Sequence, residues 1–207
     1  AATFTIENLI KDFVVRGEDV IVLNPGESRA IPLYIIVRVD TIPNLYLGKI
    51  IVSSGNVKKE ILIAVEVESE GALLDVRAEI LEDYGKILPG GEVLAEIRLF
   101  NLGGPEGGKD VLIEYIIKDY DNNTIATETE SLAIQTQTTF IKRINIPENT
   151  PLGQYVLYVK AIYDGKTASS SDNFEVVSST VSDREKIYIV TIIILSIIIS
   201  LIVYYII

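Results

Sequence analysis

The sequence predicts an all-β protein built from two consecutive β-sandwich units, followed by a single C-terminal transmembrane α-helix. Three observations carry this prediction. Apolar and polar residues alternate with a period of two through much of residues 1–186, as in antiparallel strands with one buried face. Clusters of turn-forming residues separate these stretches at short intervals. The last 21 residues, 187–207, contain no charged side chain.

The alternating stretches are predicted to be strands. They span 29–39, 60–68, 73–83, 92–99, 111–118 and 155–163, with a further strand at 125–132. In the first of them, the pattern places Ile31, Leu33, Ile35, Val37 and Val39 on one buried face. Turns are predicted at Asn24-Pro25-Gly26, Gly55-Asn56, Pro89-Gly90-Gly91, Gly103-Gly104-Pro105, Asp121-Asn122-Asn123 and Asp164-Gly165.

A polar break at Ser69-Glu70-Gly71 divides the β-region into residues 1–69, the N-terminal unit, and residues 70–177, the C-terminal unit. The two look related, because the segments 43–50 and 151–155 each lead into a strand, with a Gly two residues before the first inward side chain. Tyr155 has the position of the tyrosine-corner residue of Ig-like sandwiches. The N-terminal unit is short for a closed sandwich. Either its first strands lie before residue 1, or it takes a strand from a neighbour.

Two stretches of the chain resemble known surface repeats. LNPGESRAIPLYIIV and LYLGKIIVSSGNVKKEILIAVEV resemble the C-terminal halves of Ig-like repeats of exported archaeal and bacterial proteins of the NPCBM-associated type. LLDVRAEI, ILPGGEVLAEIRLFNLGG and IPENTPLGQYVLYVKAIYDGKTASSSDNFEV resemble a CARDB-type adhesion repeat. The resemblance implies Ig-like modules of exported, often membrane-anchored proteins, including S-layer-associated chains with one C-terminal helix. It carries over no catalytic residue.

Residues 187–207 are predicted to be the membrane helix, and residues 178–186 a polar stalk before it. A 21-residue helix is about 31 Å long, close to the hydrocarbon thickness of about 30 Å. Eleven of the 21 residues are Ile, which also suits a strand, but strands seldom exceed about ten residues. Ser196 and Ser200 form a candidate helix-contact face, although such Ser side chains also bond to their own backbone.

Composition excludes several kinds of chemistry. The chain has no His, Cys, Met or Trp, so a Ser-His-Asp triad, a thiol nucleophile, an imidazole or thiolate metal site and a disulfide are all excluded. The formal net charge of −11 disfavours nucleic-acid binding. Paired carboxylates such as Glu128 and Glu130 recur at period two, which indicates a solvated sheet face. We expect no enzyme activity and no cofactor.

Two candidate sites fall in one turn. Asp119, Asp121, Asn123 and Glu130 match the spacing of calcium-loop ligands, but the sixth position is Thr where an EF-hand needs Gly. A hairpin turn is the simpler interpretation. Asn122-Asn123-Thr124 is an N-glycosylation acceptor, predicted to lie at an exposed loop tip.

These features predict a non-enzymatic, single-pass protein of the cell membrane with its β-units outside the cell. An N-terminus at Ala1 fits cleavage of a signal peptide. The expected role is adhesion or S-layer-like envelope assembly, with the lipid bilayer and other envelope or membrane proteins, or a second copy, as partners. One alternative is an accessory subunit of a larger membrane complex, such as a transporter or respiratory assembly. Another is a filament subunit that uses strand donation.

Overall fold

The described part of the chain folds mostly into β-strands. The computed structural model describes residues 2–17, 20–103, 109–178, 188 and 191–198. Within these ranges, the strands are β1 Ala2–Asn8, β2 Val14–Arg16, β3 Val20–Ile21, β4 Leu33–Ile35, β5 Asn44–Ser54, β6 Val57–Val67, β7 Leu74–Ile80, β8 Lys86–Ile87, β9 Glu92–Asn101, β10 Lys109–Asp119, β11 Thr124–Ile134, β12 Gln137–Asn145, β13 Gly153–Tyr163 and β14 Lys166–Val176. The all-β prediction is confirmed.

The C-terminal unit consists of two sheets packed over one core. The strand order is β12-β9-β7 in one sheet and β11-β10-β13-β14-β8 in the other. The predicted inward faces of β7, β9 and β10 are buried as expected: Leu74, Val76, Ala78, Ile80, Val93, Ala95, Ile97, Leu99, Val111, Ile113, Tyr115 and Ile117. Alternation succeeds here because each of these strands has one face on the core and the other face more exposed.

Side chains of β14 stabilise the open edge of β7. The Ala78 N–H donates to Ser170 Oγ at 3.0 Å, and the Ile80 N–H donates to Asp172 Oδ2 at 2.7 Å. These bonds satisfy backbone donors that a neighbouring strand would otherwise take. They also join the two sheets, since β7 and β14 belong to different sheets.

Both units contain a tyrosine that bonds back to the backbone four residues upstream. The Tyr155 hydroxyl donates to the Pro151 carbonyl at 2.8 Å, as a tyrosine corner requires. The Tyr46 hydroxyl donates to the Ile42 carbonyl at 2.7 Å in the N-terminal unit. The same local hydrogen bond therefore occurs once in each unit.

The N-terminal unit is a four-stranded sheet with a small second layer. Its sheet has the order β3-β1-β5-β6, and β2 pairs with β4 as a separate ribbon. A core of Ile10, Val14, Ile50, Val65 and Val67 lies between them.

The expected burial of residues 29–39 is wrong. Only Leu33–Ile35 form a strand, and residues 32–40 are exposed on both faces. The reason is that β4 pairs only with the three-residue β2 among the described strands, and no described layer covers it. Among the described residues, the apolar pattern therefore does not mark a core strand.

The two units pack side by side as four layers. The outer face of the β3-β1-β5-β6 sheet lies on the outer face of the five-stranded sheet, through Leu45, Leu47, Tyr120, Val156 and Tyr158. As a result, β5 and β13 carry buried residues on both of their faces.

The C-terminal segment is described only in part. Residues 191–198 are helical, and most of the predicted span 187–207 lies outside the described residues, as do Ser200 and all of the predicted stalk after Ser178. No helix that the structure describes reaches the length and apolarity that crossing a bilayer requires. Ser196 Oγ donates to the Ile193 carbonyl at 2.7 Å, the local bond considered above as the alternative to helix contact.

Candidate functional site

The turn between β10 and β11 is organised by one carboxylate. Asp119 Oδ1 accepts the N–H groups of Asp121 at 2.9 Å and of Asn123 at 2.8 Å, and its Oδ2 accepts from the Asn123 amide at 2.8 Å. Asn122 has φ 66°, the left-handed conformation that Asn tolerates in tight turns. The sequence therefore folds this segment as a self-bonded hairpin turn, with the Asp119 side chain turned into it.

This turn docks on the N-terminal unit. Asp121 Oδ1 accepts from Lys49 Nζ at 2.8 Å and from the Asn8 amide at 3.1 Å. The same Asn8 amide donates to the Tyr120 carbonyl at 3.0 Å. The hydrogen bond from Lys49 is the main cause that lowers the pKa of the Asp121 carboxyl, and the same bond raises the pKa of Lys49.

Asn8 holds an unusual backbone conformation at this contact. It ends β1 with φ 65° and ψ −156°, a region that residues other than Gly rarely occupy. Such a conformation costs about 1–3 kcal/mol and persists where surrounding contacts fix it. Here the side chain joins both Tyr120 and Asp121 of the C-terminal unit. The strained residue is thus part of the junction between the units.

Apolar side chains fill the middle of the junction. Leu45, Leu47, Val156 and Tyr158 are fully buried there. Burial is the main cause that raises the pKa of the Tyr158 phenol to about 12, so the phenol stays neutral at physiological pH. This part of the contact is a hydrophobic core in addition to the core of each unit, rather than a polar surface.

The far side of the junction fixes the segment that links the units. Glu66 accepts from the Ser171 hydroxyl, and Glu68 Oε1 accepts from the Ser169 N–H at 2.7 Å. Lys166 Nζ donates to the carbonyl oxygens of Glu70 at 3.1 Å and Gly71 at 2.9 Å. The residues around the predicted boundary at Ser69-Glu70-Gly71 are therefore bonded to β14 rather than extended between separate bodies.

A cleft of about 440 Å³ opens beside the docked turn. Its lining combines one amine, three carboxylates and an apolar rim. The lining residues are Lys49, Glu60, Leu62, Asp119, Tyr120, Asp121, Pro151, Leu152, Gly153, Gln154 and Tyr155. Because Asp119 bonds to its own turn and Asp121 to Lys49, these carboxylates stabilise the junction.

The four predicted calcium ligands are not brought together. Asp119, Asp121 and Asn123 share the turn, but Glu130 pairs in register with Ile113, six residues before Asp119 and about 20 Å away along the strand. Glu130 accepts instead from the Tyr115 hydroxyl at 2.6 Å. Among the residues described, no group of three or more acidic, His or Cys side chains is placed to hold a metal.

The predicted glycosylation residue lies close to the docked turn. Asn122 is half-buried, and its Oδ1 accepts from Lys118 Nζ at 3.1 Å. The turn is therefore less open than a free loop tip, and glycosylation of Asn122 stays a prediction.

Sequence reasoning missed the N-terminal half of the junction. Asn8 and Lys49 carry no motif, and nothing in a one-sided alternation marks them. A signal was present in β13, where Val156 and Tyr158 occupy the positions between the predicted inward residues. Apolar residues on both faces of a strand indicate that both faces are covered.

The chain was compared with known proteins. No family model and no curated protein matches it. Among solved structures, a family 123 glycoside hydrolase from Clostridium perfringens matches with 13% identity and a TM-score of 0.39, over 52% of this chain and 28% of that one. The DNA glycosylase AlkC of Pseudomonas fluorescens matches with 17% identity and a TM-score of 0.38, over 52% and 31%.

A CARDB domain from Pyrococcus furiosus, solved with di-metal ions, also matches. It has 16% identity and a TM-score of 0.36, over 50% of this chain and 87% of that one. The chain therefore spans less than a third of the two enzymes and most of the CARDB domain. Likenesses at these scores carry no argument about activity or ligands.

Proposed function

We propose that the protein is a non-enzymatic, membrane-anchored cell-surface protein whose β-units present a contact surface for adhesion or envelope assembly. The observation that carries the proposal is a joined body of two β-units followed by an uncharged segment of 21 residues, 187–207. Such a segment is long enough to span a bilayer as a helix. The β-units would then stand outside the cell.

The strand order of the C-terminal unit supports an Ig-like module. Its β7, β9 and β12 form one sheet and β8, β10, β11, β13 and β14 the other, with the Tyr155 corner at the start of β13. Modules of this kind bind through loops and sheet faces rather than through a catalytic centre. In this protein the outer face of the five-stranded sheet is already used by the N-terminal unit, which leaves the loops, the outer face of the β12-β9-β7 sheet and the N-terminal unit to meet a partner.

The exposed strand β4 favours a second candidate function, assembly with another chain. Leu33, Tyr34 and Ile35 are 42–58% exposed, and in the described residues β4 pairs on one edge only. An apolar strand with a free edge is suited to pairing with a further strand. This would serve an accessory subunit of a membrane complex or a filament subunit completed by strand donation.

Extraction of the full chain from native membranes in mild detergent, followed by native mass measurement, separates these functions. The proposal expects the protein alone, or a simple multiple of its own mass, allowing for glycan mass. A fixed stoichiometry with other integral proteins would contradict the proposal and favour the role of an accessory subunit. Filaments that survive detergent would replace it with strand donation.

A further inference from the structure

The N-terminal unit extends past the C-terminal unit on the side where the chain leaves for residues 187–207. Lys49 and Leu62 line the same cleft as Gly153. Gly153 pairs with Val176, the last residue of β14. From Lys49, β5 continues for six residues to the turn at Gly55, a distance of about 20 Å. The turn therefore projects about 20 Å beyond the point at which the chain leaves the C-terminal unit.

A second loop ends at the same level. β3 pairs with the start of β1, and β1 pairs at Thr3 with Ser53 beside the β5–β6 turn. The chain then leaves Ile21 and returns at Arg29, which lines a small cavity together with Ile21. Residues 22–30 and 54–59 thus form one projecting end, which we call the tip.

The tip combines exposed aliphatic side chains with basic ones. Val22 and Val57 are 72% and 71% exposed. Lys58 and Lys59 follow Val57 directly, and Arg29 lies in the second loop. Two acids accompany them, Glu27 in the same loop and Glu60, which lies 3.0 Å from Lys58 Nζ. These groups sum to a small positive charge in a protein whose net charge is −11.

Exposed aliphatic side chains and basic side chains each favour contact with an anionic lipid surface. Resting on the proposed anchor, we infer that the tip contacts the anionic headgroups of the membrane that holds residues 187–207. The intervening residues 177–186 can span at most about 35 Å, so the tip and the bilayer lie within reach of each other. The contact would fix the β-body against the membrane at two points and hold its opposite end away from the surface.

A single label on the full chain tests this contact. The sequence has no Cys, so Asn56→Cys provides one site at the tip, and Asp164→Cys provides a matched site in the exposed β13–β14 turn at the opposite end. Each variant, labelled with an environment-sensitive fluorophore, is reconstituted in vesicles of phosphatidylcholine with phosphatidylglycerol. Brominated lipids are expected to quench the label at position 56 and leave the label at position 164 unchanged.

The charge requirement is tested in the same vesicles. Lys58→Glu with Lys59→Glu is expected to abolish quenching at position 56 while the chain stays in the vesicles, and an unchanged unfolding midpoint establishes that both exposed substitutions leave the fold intact. Omitting phosphatidylglycerol is expected to have the same effect. Quenching that survives both changes, or equal quenching at positions 56 and 164, would overturn the inference while the anchor stands. If the full chain fails to float with vesicles, residues 187–207 do not anchor it, and both the proposed anchor and this contact are wrong.

Discussion

Replacing Leu47 by Ala is expected to weaken the packing that holds the two β-units together. Leu47 is fully buried in the junction, between β5 and the five-stranded sheet. The change removes three buried carbons, worth about 2.4 kcal/mol at 0.8 kcal/mol each, and a residual cavity adds to this. We expect the free energy of unfolding to fall by about 3 kcal/mol, within the range for buried Leu→Ala changes.

This loss of stability should affect the junction and the N-terminal unit. Hydrogen exchange of the full chain in detergent, measured through a denaturant series, follows both units separately. We expect Leu47→Ala to lower protection in β1, β5 and β6 and to leave β9 and β10 unchanged. Ile97→Ala, a control of similar size in the separate core of the C-terminal unit, should lower protection in β9 and β10.

A double-mutant cycle with Tyr158 makes the reasoning refutable. Tyr158 lies in the same cluster as Leu47, so Tyr158→Ala and Leu47→Ala should be coupled by about 1 kcal/mol. Tyr158→Phe keeps the ring and is expected to change stability by less than about 1 kcal/mol. Additive effects of Leu47→Ala and Tyr158→Ala, or a cost below about 1 kcal/mol for Leu47→Ala, would refute the junction as a stabilising core.

Three further outcomes follow. Gly48→Ala should lower the free energy of unfolding by at least about 2 kcal/mol, because the added Cβ would lie 2.4 Å from Ile10 Cγ1. In Gly17→Ala, by contrast, the added Cβ meets nothing within 4 Å. Equal unfolding midpoints for the two variants would contradict this prediction. Asp121→Asn should cost less than about 1 kcal/mol at neutral pH, since the Asp121 side chain is 59% exposed, although that of Lys49 is only 18% exposed. The pKa of Asp121 is lowered on folding, so this contribution is present above about pH 4 and is lost as the pH falls through the folded pKa. The stabilities of the wild type and the variant should therefore converge in acid, and a stability difference that persists there would be evidence against a contribution from the Lys49–Asp121 pair. Calcium should leave the thermal midpoint unchanged, because the fourth predicted ligand, Glu130, lies far from the turn. A higher midpoint in calcium would be evidence for the predicted calcium site.

The period-two pattern predicted the C-terminal unit well because its buried positions belong to strands with one covered face. In β9, Val93, Ala95, Ile97 and Leu99 are all fully buried, as the alternation requires. The same rule failed in residues 29–39. A pattern reports only that a strand suits burial, and the layer that would cover it is supplied by packing between distant parts of the chain.

The junction was beyond sequence reasoning for the same reason. Lys49 and Asp121 are 72 residues apart and meet only because β5 lies on the outer face of the five-stranded sheet. The turn chemistry of Asp119 and Asn123 could be predicted, since it is local. Its docking on Asn8 could not, because that contact depends on how the two units pack.

The anchor is the central claim, and flotation of the full chain with phosphatidylcholine vesicles tests it most directly. We predict that the full chain floats with vesicles after an alkaline carbonate wash, whereas a chain ending at Ser178, which retains every described strand, stays at the bottom of the gradient. A full chain that stays at the bottom with the shortened one would contradict the account.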